Sequence, residues 1–302
     1  MQQVVLHPLR VFAYFARNSL SNNMLIAITR QVSPSINRCE LTYHAKEPID
    51  LAKAISQHQA YEDCLRGLGV RVVSLTAEPD FPDAVFVEDA AIVVDEVAVI
   101  PVMGAASRRP ETESLARALS VYRPLEFMRP PATLDGGDVM RIGRRLFVGA
   151  SSRTNAEAIA QLRAALTPFN YEVTTVEVRQ CLHLKSSCSY VGRNSILVNR
   201  KWVDVTQLAG FELLDVPASE PGAANVLLIE DVIDDAKEGV IAGATEAAVK
   251  DVVIIPSAFP QTISLLETRR FKVKAIDVSE FQKAEGGVTC KSIIFNADDP
   301  DS

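Results

Sequence analysis

No apolar run in this 302-residue chain is long enough to cross a bilayer as a helix. Basic charge is also short. Lys and Arg number 31 against 38 Asp and Glu, a net charge of −7, which argues against nucleic acid as a partner. Cysteine is sparse and odd in number: Cys39, Cys64, Cys181, Cys188 and Cys290, with no C-x-x-C pair among them. That argues against a disulfide framework and a zinc knuckle, and points to a reducing compartment, here the cytoplasm. No low-complexity linker interrupts the chain, so it offers no clean domain boundary. Acid is absent from residues 1–39, which do contain Arg10, Arg17, Arg30 and Arg38. Such a start has the composition of an organellar transit peptide. It also fits a start assigned upstream of the fold, because Met24 opens MLIAITR, which reads as a first core strand. We adopt the second reading, with residues 1–23 as a disordered extension or a start placed too early. Residues 24–296 are then one folded domain and residues 297–302 an acidic tail.

What the chain does have is alternation. Short apolar strands alternate with amphipathic helices from Met24 to Phe295. Leu25–Thr29 reads as a strand and Val70–Leu75 as another. Between them Pro48–Leu68 reads as a helix, with Pro48 in its first turn and Gly69 past its end. Hairpins follow: AIVVDEVAVI turning at Asp95-Glu96, VMRIGRRLFV at Gly143-Arg144, and SILVNRKWV at Asn199-Arg200. Helices are expected at Pro110–Leu119, Asn155–Leu166 and Gln261–Thr268. Further strands are expected at Val226–Ile229, Val252–Ile255 and Val273–Ile276. The acidic segment 230–251 reads as partly loop and solvated.

Two segments resemble each other. FVEDAAIVVDEVAVIPVMGAASRRPETE and TLDGGDVMRIGRRLFVGASSRTNAEA each hold an acidic start, a hairpin, a G-A-x-S-R corner and a helix. The corner Gly104–Arg108 recurs at Gly149–Arg153, 45 residues on. A repeat of this period suggests modules around an axis. Acids at matching strand starts, Glu88 and Asp89 in one and Asp135 in the other, would then point to one central place, with Arg108 and Arg153 near it. Asp138, beside Gly-Gly, reads as turn chemistry. Glu88-Asp89 does not. It interrupts an apolar stretch, and buried acids are costly unless a cation pairs with them. A lone cysteine is more often a small buried hydrophobe, and a lone histidine such as His183 more often structural. Cys290, however, follows Gly286-Gly287, backbone that permits close approach of another group. Cysteine, histidine and carboxylate together are the set a thiol nucleophile needs: the sulfur, a general acid/base and its orienting partner.

Read in order, the notable motifs are ITR (28–30), PDAVFVED (82–89), GAASRR (104–109), LDGGDV (134–139), FVGASSRTN (147–155), LHLKS (182–186), AAN (223–225) and GGVTCKS (286–292). In these motifs and their order the chain resembles the dimethylarginine dimethylaminohydrolases. These belong to the guanidino-group-modifying superfamily that includes arginine deiminases. The resemblance implies a five-bladed α/β propeller, the pentein fold, spanning residues 24–296. It implies hydrolysis of Nω-methylated L-arginine to L-citrulline and dimethylamine or methylamine, through a thiouronium on the cysteine, with no metal and no cofactor. It makes Cys290 the nucleophile, His183 the general acid and then base, and Asp135 the orienting acid. Asp89, with Glu88, would hold the guanidinium, and Phe86 would line the substrate site. Arg108 and Arg153 would grip the substrate carboxylate from two sides. Asp83 would meet the α-amine, and Leu41 would add a backbone carbonyl from a lid around Asn37–His44. The carboxylates should raise the pKa of the resting thiol, and a bound cation should lower it.

Other readings compete. Within the superfamily these are arginine deiminase, agmatine deiminase and hydrolysis of another alkylguanidine. Agmatine lacks a carboxylate, which an arginine pair would need. Full arginine deiminases carry a helical insertion for which this chain has no room. A catalytically inactive binding protein on the same fold is the alternative of another class, and retention of Cys290, His183 and Asp135 together weighs against it. The implied partner is a small guanidino amino acid, with neither nucleic acid nor membrane, and a homodimer stays open.

Overall fold

The structure, a computed structural model, describes residues 23–233 and 249–298. The expectations for residues 1–22 and 299–302, and for most of segment 230–251, lie outside the described residues. The chain opens with β1 (Asn23–Arg30), α1 (Leu51–Arg66) and β2 (Arg71–Leu75). α1 begins after Pro48, because Asp50 caps it by accepting the Lys53 N–H at 3.0 Å.

Next comes a unit in which an antiparallel hairpin is followed by a helix and a third strand parallel to the second. It consists of β3 (Ile92–Val93), β4 (Ala98–Ile100), α2 (Glu111–Leu119) and β5 (Leu125–Phe127). The unit recurs as β6 (Val139–Ile142), β7 (Arg145–Ala150), α3 (Ala156–Leu166) and β8 (Glu172–Glu177). After the short α4 (Leu184–Ser187) it recurs as β9 (Cys188–Gly192), β10 (Ser195–Val198) and β11 (Glu212–Asp215), with a 3-10 turn at Val205–Leu208 in place of the helix. It recurs again as β12 (Leu227–Ile233), β13 (Val249–Pro256), α5 (Pro260–Thr268) and β14 (Lys272–Ile276). After α6 (Ser279–Gln282), β15 (Ile293–Asp298) returns to pair antiparallel with β1 and completes the sheet β15-β1-β2. The result is a five-bladed α/β propeller of three-stranded sheets. Ala297 and Asp298, which the sequence reading put in the acidic tail, belong to β15, where Asp298 lies opposite Asn23.

The third hairpin lies one strand earlier than its pattern suggests. It turns at Arg193-Asn194, whose φ values are +50° and +58°, and not at Asn199-Arg200. Asn-Arg between two apolar runs looks like a hairpin turn, but the true partner of β10 is the upstream CSYVG. The downstream run contributes only an isolated bridge from Val203 to Val178.

Each middle strand is apolar on both faces, because alternate side chains enter different cores. Ile26 and Ile28 of β1 share a core with Ile100 and Leu115, while Ala27 shares one with Tyr61, Val252 and Ile254. Val253 and Ile255 of β13 join Leu197 of β10, and Ile196 and Val198 join Phe147 of β7. Leu146 and Val148 join Val99 of β4, whose Ala98 and Ile100 lead back to β1. The cores therefore link the sheets in a closed ring.

One buried residue sits awkwardly in this packing. Lys291 is fully buried and its Nζ has no hydrogen-bond partner among the described residues. The ammonium lies 4.1 Å from the ring centre of Tyr61 and 4.8 Å from that of Phe281. Burial pulls its pKa from 10.5 down to about 7, the effect that cation–π contact only partly offsets. The unfolded chain therefore binds more protons than the folded one between about pH 7 and 10.5, and stability should rise with pH over that window. Lys291→Met should stabilise the fold at pH 7 by about 2–4 kcal/mol and flatten this rise. Urea unfolding at a series of pH values checks it, and an unchanged slope would refute it.

Candidate active site

The five blades each bring one short turn, the one preceding the first strand of the hairpin, to the same place. Before β3 it carries Glu88 and Asp89 within Val87–Ala90. Before β6 it carries Asp135 with Gly136–Asp138. Before β9 it carries His183, before β12 Asn225, and before β15 Cys290 within Thr289–Lys291. The matching acids of the repeat do converge, and three further blades follow the same rule.

His183 is buried, and its Nε2 lies 3.1 Å from Asp135 Oδ2. Its Nδ1 lies 3.8 Å from Asp89 Oδ1. Burial pushes the imidazole pKa down. Asp89, then the Asp135 hydrogen bond and Asp138, outweigh it and hold it up at about 9. The other Asp135 oxygen accepts the Gly104 N–H at 2.8 Å, which ties the first arginine corner to the histidine. Gly137 donates its N–H to Asp89 Oδ1 at 3.1 Å. A Cβ on Gly137 would stand 2.5 Å from His183 Nδ1 and 2.7 Å from Asp89 Oδ1, so close approach demands glycine here. Asp138 is more than turn chemistry. Its carboxylate accepts from Ser151 and Thr154, each at 2.6 Å, and from the Leu184 N–H at 2.9 Å, fixing the second corner and the backbone after His183.

Cys290 is half-buried, and its Sγ accepts the Gly287 N–H at 3.3 Å. A Cβ on Gly287 would meet Asn225 Oδ1 at 2.1 Å, which is the close approach expected of this turn. Asn225 donates to Thr289 Oγ1 at 3.0 Å and accepts the Thr289 N–H at 3.2 Å. Thr289 donates on to Glu88 at 2.7 Å, and Glu88 pairs with Lys185 at 2.6 Å. Burial, then Glu88 and Asp89, push the thiol up to about 12, in the expected direction.

Cys290, His183, Asp135, Asp89, Asp83, Phe86, Arg108 and Arg153 all line one cavity of about 20 Å³, room for about a single water. Glu88 and Leu41 do not line it. Glu88 pairs with Lys185 and accepts from Thr289, so it braces the cysteine turn. Leu41 sits in the lid between Glu40, which does line the cavity, and Thr42.

The two corner arginines part company. Among the described residues the Arg153 side chain bonds only the Thr42 hydroxyl, at 3.1 Å. Arg108 is buried, donating to Asp89 at 2.7 Å, to Glu111 at 3.0 Å and to the carbonyls of Asp83 and Phe86 at 3.3 Å. Most of its five N–H groups are taken, so it does not stand with Arg153 as an open pair. The backbone of the repeat is symmetric, but Glu111 and Asp89 draw only one of the two side chains inward. Burial pushes the Asp89 carboxyl up, but His183 and then Arg108 outweigh it and hold it below the usual range. Sequence reasoning gave no role to Asn225, Lys185, Glu111 or Glu285. Only AAN and LHLKS, as motifs, marked the first two.

Comparison with known proteins fits this geometry. A family model described as N,N dimethylarginine dimethylhydrolase, eukaryotic, matches residues 26–210. The N(G),N(G)-dimethylarginine dimethylaminohydrolase of Pseudomonas aeruginosa is 32% identical to this chain over 254 residues, covering 83% of this chain and 92% of that protein. The protein of that name from Streptomyces coelicolor is 33% identical over 268 residues, covering 88% and 95%. A solved structure of the Pseudomonas aeruginosa protein, a cysteine-to-serine variant complexed with citrulline, matches with a TM-score of 0.78 at 30% identity. It covers 90% of this chain and 100% of that one.

The His183 environment makes a prediction. Its pKa of about 9 lies above the ordinary 6.5, so its contribution to stability is complete below about pH 6.5 and is lost as pH rises through about 9. Asp135→Asn should move the imidazole midpoint toward 6.5 and destabilise the fold at pH 6 by about 1–3 kcal/mol, less above pH 9. NMR titration of the imidazole in both proteins measures it. A wild-type midpoint at or below 6.5 would overturn the assignment.

Proposed function

Since the chain belongs to the dimethylarginine dimethylaminohydrolase family, we propose that it hydrolyses Nω-methylated L-arginine to L-citrulline and dimethylamine or methylamine. The observation that carries this reading is the meeting of a thiol, an imidazole and Asp89 at one cavity, each from the same position of a different blade. The substrate guanidinium enters against Asp89, whose two oxygens each accept one hydrogen bond from the protein and keep a lone pair free. Its positive charge lowers the Cys290 pKa, and the thiol proton leaves to solvent. The thiolate attacks the guanidinium carbon and a C–S bond forms. His183, protonated at rest, gives its proton to the alkylated nitrogen, and the C–N bond breaks. Water then adds to the thiouronium while neutral His183 takes its proton. The C–S bond breaks as the adduct's hydroxyl becomes the carbonyl and its proton passes to the sulfur, so the ureido product leaves and the Cys290 thiol is restored. Asp135 keeps the imidazole in place throughout.

At the other end of the substrate, Arg153 takes the carboxylate and Asp83 the α-amine, while Arg108 acts by holding Asp89. The arginine deiminase reading keeps the same cysteine chemistry but not the preference for alkylated nitrogen. All five cysteines are free, which supports the reading of a reducing compartment such as the cytoplasm. No helix among the described residues is long and apolar enough to cross a membrane.

Cys290→Ser should abolish turnover and leave the melting temperature within a few degrees. His183→Ala should also lose turnover of methylated arginine, yet accumulate an alkylthiouronium on Cys290 when the leaving group departs without acid help. Mass spectrometry of the quenched protein locates the adduct. Its appearance on Cys39, Cys64, Cys181 or Cys188 would place the chemistry elsewhere.

Substrate choice follows from the placement of charge. Losing one hydrogen-bonded contact to a charged group costs about 1.5–3 kcal/mol, roughly tenfold to a few hundredfold in kcat/KM. Arg153→Ala should show a loss of that size on asymmetric dimethylarginine, and agmatine, which has no carboxylate, should be a poor substrate for the wild type. Unmethylated arginine should be slower than the methylated forms. Kinetics on these substrates with both proteins decide it, and equal turnover of agmatine would remove the amino-acid assignment.

A further inference from the structure

The loop that closes the cavity is held by a residue outside the catalytic set. Residues 42–44 are solvent-exposed, with Tyr43 half open, so apolar packing does little to keep the loop in place. Its hold is polar and converges on Glu285, 241 residues further along the chain from His44. Glu285 Oε1 accepts three consecutive backbone N–H groups, from Thr42 at 2.9 Å, Tyr43 at 2.5 Å and His44 at 2.7 Å. His44 Nδ1 adds a contact to the Gln282 carbonyl at 3.2 Å. Glu285 sits at φ +58°, a region costly for a residue with a Cβ, and the surrounding contacts keep it there. Its second oxygen is buried with no hydrogen-bond partner among the described residues, and the residue lines the same cavity as Cys290.

Ser107 also holds the loop, donating to the Glu40 carboxylate at 2.5 Å, and two further contacts use groups assigned above to the substrate. Asp83 accepts the Glu40 N–H at 3.1 Å, and Arg153 donates to the Thr42 hydroxyl at 3.1 Å. A cavity of about 20 Å³ cannot admit an arginine side chain, so the loop must move for the ligand to pass. Once Asp83 and Arg153 engage the ligand, their hold on the loop weakens; Ser107 remains at Glu40, and Glu285 at the three amides of residues 42–44. We propose that Glu285 is a positioning residue for the hydrolysis: its carboxylate latches the Glu40–His44 loop over Cys290 from the base of the cysteine turn. The proposal rests on the methylarginine reading for its effect on turnover, but the latch itself is a property of the free protein. A carboxylate accepting three N–H groups makes charge-assisted bonds, stronger than neutral ones, and the left-handed position directly before Gly286-Gly287 joins the lid to the backbone that carries the nucleophile.

The experiment compares wild type, Glu285→Ala and Glu285→Gln. Hydrogen exchange of the peptide spanning residues 40–46, without ligand, reads the three amides directly. Glu285→Ala should accelerate it about tenfold or more, with exchange in β1, β7 and β13 unchanged, and Glu285→Gln, which keeps a neutral acceptor, should fall between. With asymmetric dimethylarginine, Glu285→Ala should raise KM about tenfold or more and change kcat less. Unchanged exchange at residues 40–46, or an increase spread over all blades, would overturn the latch. Should Glu285→Ala not fold, Glu285→Gln carries the same test. Faster loop exchange with no methylarginine turnover by the wild type would refute the assigned reaction while leaving the latch standing. Normal wild-type turnover with unaltered exchange in the variants would do the reverse.

Discussion

The pairing of β15 with β1 is the constraint on which the rest of the molecule depends. Blades two to five follow one another along the chain, but the first blade needs strands from both ends. Ile293 opposite Ile28 and Phe295 opposite Ile26 close the ring and complete the core on one face of β1, while Ile294 opposite Ala27 packs against the core on the other. The same register places the proposed nucleophile, because Cys290 lies three residues before β15 begins. Ser292 ties that stretch to Tyr61 of α1 through a 2.5 Å hydroxyl–hydroxyl hydrogen bond. Closure of the fold and placement of the sulfur are thus one event, and it depends on contacts between residues more than 200 positions apart.

Closing the ring forces turns from five blades together, and these turns carry charge. Asp89, Asp135, Asp138 and His183 are buried around one point, with Arg108 and Lys185 supplying cations. Groups this far from water are tolerated because each is hydrogen-bonded and, Asp138 apart, set against an opposite charge. The balance has a chemical consequence. The acids keep the imidazole protonated, and burial together with the acids keeps the thiol neutral, so the resting site is an acid beside an unreactive sulfur. In the proposed reaction a guanidinium ligand adds the positive charge that the sulfur lacks, which would link reactivity to occupancy and protect the thiol while the site is empty.

Symmetry of the backbone does not extend to the side chains. The corners at Gly104–Arg108 and Gly149–Arg153 are related by the fold, yet one arginine is built into the interior and the other faces the lid. The difference comes from neighbours that the repeat does not share. Glu111, at the start of α2, lies within reach of Arg108. The second corner has Glu157 near the equivalent place, and no hydrogen bond joins it to Arg153 among the described residues; Glu157 accepts from Gln161 instead. A module can therefore repeat its chain path while each copy takes a separate task.

The sequence by itself determined the modules. Alternating apolar residues and capping residues place most strands and helices within a few positions, since these preferences act over one or two turns of chain. The order of the short motifs likewise marks Cys290, His183, Asp135 and Asp89, because thiol, imidazole and carboxylate chemistry admits few substitutes. Tertiary structure decided everything that depends on which partner a group finds. It moved the third hairpin to Arg193-Asn194, because β10 pairs with the strand before it. It gave Arg108 and Glu88 internal hydrogen-bond partners, and made Asp138, Asn225 and Glu285 anchors of turns and lid. The reason is that a hydrogen bond or ion pair is fixed by distance and burial in three dimensions, and the sequence carries residue types and local spacing but neither of those.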